Sequence, residues 1–130
     1  MKRFILTGAP GAGKTAILRQ LELDGFNVVE EAATDLIALA QACGITELWR
    51  EASFIDSIAD LQRRRLARAS CQPDEVQFHD RSAFCTAALA AYLGYPVSGT
   101  YQGGWDLSKA SLLYSESRLY YAERGTADQL

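Results

Sequence analysis

A chain of 130 residues with 48% hydrophobic residues is the size of one domain and long enough to bury a substantial core. Its 13 Lys and Arg against 16 Asp and Glu give a mixed net charge of −3, which offers no electrostatic footprint for nucleic acid or an acidic membrane surface. No segment approaches a membrane span, because the apolar stretch 83–93 is too short and contains Thr86, and the positive start Met1-Lys2-Arg3 precedes a strand too short for a signal-peptide core. Cys43, Cys71 and Cys85 are widely spaced and form no C-x-x-C pair, so neither a disulfide framework nor a zinc knuckle is suggested. Reduced cysteines in a cytoplasmic protein are the simplest reading, with Cys43 and Cys85 packed in the core as small hydrophobes.

In chain order, Phe4-Ile5-Leu6-Thr7 is an apolar, β-prone run. It leads straight into Gly8-Ala9-Pro10-Gly11-Ala12-Gly13-Lys14-Thr15, which fits the G-x-x-x-x-G-K-[ST] phosphate-binding loop, and residues 16–21 behind it are helix-prone. Strand, loop and helix thus come in the order that motif needs. The glycines let the backbone curl around an anion with its N–H groups pointing inward, and the helix N-terminus adds partial positive charge at the same point. Lys14 would supply a full charge to the β- and γ-phosphates, and Thr15 would place its hydroxyl on Mg2+. A nucleoside triphosphate is therefore the expected ligand.

Asp24-Gly25 reads as a turn, residues 26–31 as a short strand with Glu30 and Glu31 at its carboxyl end, and residues 32–43 as a helix stopped by Gly44. Either glutamate could take a proton from an acceptor hydroxyl, or both could belong to a solvated strand end. Residues 51–70 form a second helix with Phe54, Ile55, Ile58, Leu61 and Leu66 on one side. Arg63, Arg64, Arg65 and Arg68 crowd its last turns, where cations suit the helix dipole; a solvated helix end explains them better than a phosphate site. After the turn Pro73-Asp74, residues 75–80 read as a third strand, although Gln77 and His79 interrupt its apolar run. The only histidine, His79, reads as a packing residue. Asp80-Arg81-Ser82 then opens a helix over 83–93. Asp80 there would hold Mg2+ directly or through water, and Arg81 would fork onto a phosphate; the plainer alternative is a strand-to-helix junction with an N-cap.

Beyond Gly94 the pattern loosens into a Tyr- and Gly-rich loop, with Asp106 placed to cap a helix from about 107 to 123 and Leu119-Tyr120-Tyr121 as a candidate short strand. Three strands separated by helices imply right-handed βαβ crossovers, an α/β fold of three αβα layers and a parallel sheet of three or four strands. If the third strand lies between the first and second, one side of the first strand has no clear partner, and an edge left open there would favour self-association: either the tail covers it, another copy or protein pairs with it, or the chain is a fragment.

Arg3 to Thr15, Val28-Val29-Glu30-Glu31-Ala32-Ala33 and Phe78-His79-Asp80-Arg81-Ser82 together resemble the AAA-type ATPases, and in particular the small kinase-like domain also found in nicotinamide-nucleotide regulator proteins. The resemblance runs from residue 3 to about 94. Asp80-Arg81-Ser82 is also similar to the acid-Arg-Ser signature of deoxynucleoside kinases. What the resemblance implies is a single kinase-like phosphate-loop NTPase domain in which Lys14, Glu31, Asp80 and Arg81 are catalytic, with ATP and Mg2+ as cofactors and a small-molecule acceptor. Family members continue into a lid bearing arginines and into further strands. Here the part from about 95 to 130 is divergent or truncated, with Arg118 and Arg124 its only arginines. The alternative function is a nucleotide-binding or interaction module without turnover. A guanine-nucleotide switch is disfavoured, since no N-K-x-D-type stretch is present.

Overall fold

The computed structural model describes residues 1–8 and 11–95, and the backbone of 100–101, 105–106 and 118–122. Among the described residues six strands and four helices follow one another: β1 (Lys2–Gly8), α1 (Lys14–Leu23), β2 (Asn27–Val29), α2 (Ala32–Ala42), α3 (Ser53–Ser70), β3 (Val76–Asp80), α4 (Ala83–Tyr92), β4 (Thr100–Tyr101), β5 (Trp105–Asp106) and β6 (Arg118–Ala122). A short 3₁₀ turn, Leu48–Arg50, leads into α3. The main sheet has four strands in the order β2-β3-β1-β6, every pair parallel, and β4 and β5 form a separate antiparallel pair. As expected, β3 lies between β1 and β2.

Alternation along the strands sorts the two faces of this α/β sheet into layers. Ile5 forms a buried cluster with Leu66 of α3, and Gln77 Nε2 donates to the Ala69 carbonyl of the same helix at 2.5 Å. Phe4 and Phe78, of the opposite parity, stack with ring centroids 5.2 Å apart, and Phe26 meets Phe78 edge-on at 5.3 Å. α1 packs along β1, β2 and β3. α3 is the central helix: Phe54, Ile55, Ile58, Ala59, Leu66 and Ala69 are all buried at helical spacing. Phe54 and Ile58 pack with Ala32 of α2, while Ile55 and Ala59 pack with Ala83 and Ala90 of α4. Each large apolar side chain so buried contributes about 1.5–3 kcal/mol.

The two polar residues that interrupt β3 have structural explanations. Gln77 is held by Ala69 and by Arg3, whose Nε donates to Oε1 at 3.4 Å. His79, only 1% exposed, has its pKa pushed down to about 4 by burial and then by the charge of Arg3, so it packs as a neutral ring.

Three expectations are corrected. β6 pairs with β1 in parallel register, Phe4 opposite Arg118 through Gly8 opposite Ala122, so the edge expected to drive self-association is covered by the chain itself. Of the two readings of the tail, the helix expected to run to 123 gives way to the candidate short strand around residues 119–121, which spans 118–122, where pairing to a bare parallel edge outweighs helix propensity. Asp106 lies in β5 rather than at a helix cap, and residues 107–117 and Arg124 lie outside the described residues. Finally, Cys43 is exposed just past the end of α2, and Cys85 is only partly buried.

Candidate functional site

The loop after β1 carries the backbone the motif requires. Gly11 and Gly13 sit at φ +76° and +83°, a region costly for residues with a Cβ. Gly13 caps α1 in the left-handed conformation, and no acid occupies the first turn of that helix, so its N-terminal N–H groups and dipole remain available to an anion. Lys14 is 7% exposed and folds back so that Nζ donates to the Gly8 carbonyl at 3.2 Å. Its charge is thereby held at the mouth of the loop. Ala9 and Pro10 lie outside the described residues.

The parallel register places Asp80, the last residue of β3, beside Leu6, just before the loop. One residue on, the Arg81 N–H donates to the Leu6 carbonyl at 2.9 Å and extends the ladder. Arg81 then turns at φ +65°, the only described non-glycine with positive φ, and directs the chain into α4. Glu31 comes from the carboxyl end of β2, at the N-cap position of α2. Its Oε2 accepts from Thr34 Oγ1 at 2.9 Å, and its Oε1 lies 2.7 Å from Arg81 Nε in an ion pair that lacks hydrogen-bond alignment. Glu30 points elsewhere, into an ion pair with Arg19. Of the two glutamates the sequence offered, the fold therefore brings Glu31 to the loop.

Asp80 carries the most informative electrostatics. Burial first, and the nearby Glu31 second, push its pKa above the ordinary carboxylate range, while Lys14 and Arg81 pull the other way. Its Oδ1 is buried and has no hydrogen-bond partner among the described residues. Such an oxygen suits a cation or its water, and Thr15 lines the same space, so this donor set fits Mg2+ held by one or two protein oxygens and phosphates. Among the described residues no group of three or more His, Cys, Asp or Glu forms a metal cage.

These groups share one cavity of about 1140 Å³. Gly11, Lys14, Thr15, Asp80 and Arg81 form its phosphate end, and side chains of α2, α3 and α4 form the far wall. A family profile described as an AAA domain matches residues 3–114. The chain belongs to this AAA-domain family. A search of curated proteins returns no match. The AAA domain is thus a nucleotide-binding phosphate-loop NTPase, and its match runs beyond residue 94, where the sequence resemblance ends.

Two parts of the AAA domain's site escaped the sequence reading. Arg65, taken with the solvated arginines, instead donates through Nη1 to the carbonyls of Glu30 and Glu31 at 2.9 and 2.6 Å and pairs with Asp35. Its neighbours Arg63 and Arg64 do pair on the surface, with Asp60 at 2.6 and 2.5 Å. Nothing in the spacing distinguishes Arg65 from them. Thr34 was legible in principle, since a hydroxyl three residues after an N-cap glutamate is within reach of its carboxylate. Among the described residues no helix is long and apolar enough to cross a membrane.

Proposed function

We propose that this AAA domain is a kinase-like, Mg2+-dependent ATP-using enzyme that hydrolyses ATP or moves its γ-phosphoryl group to a small molecule in the cytoplasm. The observation that carries this reading is the convergence of Asp80, Arg81 and Glu31 beside the phosphate loop, around a cavity larger than a triphosphate tail needs. In this role the loop N–H groups and Lys14 bind the β- and γ-phosphates. Thr15 and Asp80 hold Mg2+, which when bound neutralises charge on the phosphate oxygens. Arg81 exchanges Glu31 for the γ-phosphate, two of whose oxygens can accept from the paired N–H donors of a guanidinium. Glu31, still held by Thr34, then accepts the proton of the attacking hydroxyl or water. The oxygen of that group bonds to the γ-phosphorus as the bond to the β-phosphate's bridging oxygen breaks and ADP leaves. ATP is favoured over GTP because no N-K-x-D-type base-reading stretch occurs in the chain.

Turnover of isotopically labelled ATP with Mg2+ tests the proposal. Lys14→Ala should abolish it. Asp80→Asn should reduce it and weaken its Mg2+ dependence without unfolding the protein, because burial already disfavours the Asp80 charge. Micromolar ATP binding without turnover in the wild type would leave the non-catalytic module as the function.

A further inference from the structure

Glu31 enters the site from the N-cap position of α2, with extended backbone at φ −60° and ψ 142°. A carboxylate there has a strong local competitor for its aim, because the unpaired N–H groups of a helix's first turn draw an N-cap oxygen onto themselves. In this protein no side-chain cap bond forms. The oxygen is taken instead by Thr34, three residues on in the same turn, whose Oγ1 donates to Glu31 Oε2 at 2.9 Å. Space is the second competitor. Next to the large cavity lies a smaller one of about 100 Å³, and Thr15, Glu31, Thr34 and Asp80 border both. A carboxylate free to rotate could settle in either, and Arg19 lines the smaller one as a cation to attract it. The other oxygen, Oε1, is held by Arg81 at 2.7 Å. That hold ends when Arg81 turns to the γ-phosphate, which is the moment when the direction of the carboxylate matters.

We infer that Thr34 is the positioning residue of this site: its hydroxyl keeps the Glu31 carboxylate off the helix N-terminus and out of the smaller cavity, aimed at the attacking group, once Arg81 has left for the nucleotide. This rests on the proposed use of Glu31 as proton acceptor. A threonine suits the task, since it belongs to the helix that Glu31 caps and β-branching restricts its χ1. Arg65 fixes the backbone of Glu31 from α3, and Thr34 fixes the side chain from α2.

Hydrolysis of ATP with Mg2+ by the full chain, water being the acceptor, tests the role. Thr34→Val removes the hydroxyl at nearly constant shape and should lower kcat about tenfold, the worth of a hydrogen bond to a charged group at a partly exposed site. The KM for ATP should stay within about twofold of wild type, because the phosphate loop is untouched. Thr34→Ser keeps the donor and should recover kcat to within about threefold of wild type. Since Thr34 acts through Glu31, adding Thr34→Val to Glu31→Ala should cost less than about twofold further, measured with enzyme in excess over labelled ATP. Thr34 is exposed, so the melting temperatures of its variants should lie within about 3 °C of wild type. Unchanged kcat in Thr34→Val, a loss carried by KM, a serine variant as slow as the valine variant, or a tenfold loss that persists in Glu31→Ala would each overturn the positioning role and leave the enzyme standing. Absence of turnover in the wild type would remove the enzymatic reading, and this role with it.

Discussion

Arg81 combines a strained backbone with a functional side chain, and two substitutions separate them. At φ +65° a residue with a Cβ costs about 1–2 kcal/mol relative to right-handed backbone. Glycine is spared that cost but loses about 0.5–1 kcal/mol through the greater freedom of its unfolded chain. Arg81→Gly and Arg81→Ala both remove the guanidinium and its pairing with Glu31, so they differ only in the backbone. The glycine variant should be the more stable by about 1 kcal/mol, roughly 4 °C in melting temperature for a domain of this size. Turnover should fall alike in both, on the order of a thousandfold if Arg81 meets the γ-phosphate. Melting followed by circular dichroism and a steady-state ATPase or transfer assay read the two effects. An alanine variant as stable as the glycine variant would refute the strain at this turn. A glycine variant with wild-type turnover would remove Arg81 from the chemistry.

Stability should fall as pH drops, because the folded pKa of His79 is depressed from 6.5 to about 4. Its contribution is present above pH 6.5 and is lost progressively toward pH 4, amounting to about 3 kcal/mol, and urea titrations of wild type and His79→Leu should diverge in slope across that window. Arg65→Met should lower kcat about tenfold while leaving the KM for ATP unchanged, since Arg65 fixes the backbone that carries Glu31 and not the phosphate loop. Arg65→Lys should not restore the rate, because one ammonium cannot reproduce the planar fork. A chain shortened after residue 117 loses β6 and uncovers the edge of β1, so sedimentation velocity should show concentration-dependent association. A truncated chain that stays monodisperse alongside the full chain would count against β6 as the cover.

The phosphate end of the site was legible from residues 1–31 and 75–82 because its parts are local. A G-x-x-x-x-G-K-T stretch dictates its own turn, and an acid at the end of a parallel strand reaches the ligand edge of the sheet whichever helix follows. Strand and helix positions followed for the same reason, since α3 announces itself by spacing alone and β3 by its turn and acidic end. Reading failed where the deciding partner is distant in sequence. Residues 118–122 fit either the end of a helix or a short strand in isolation, and they are a strand because β1 offers an unpaired edge more than a hundred positions earlier. Arg65 matches its neighbours in sequence yet alone reaches the β2–α2 junction, and Glu31 differs from Glu30 only in which side of the strand end meets the loop. Sequence by itself thus determined that the chain folds as a phosphate-loop α/β domain and which stretch matches the loop motif. Tertiary structure alone decided where the fourth strand pairs, the contact of Glu31 with Arg81, and the placing of Arg65 at the β2–α2 junction, because each depends on contacts between helices and strands whose meeting no local pattern encodes.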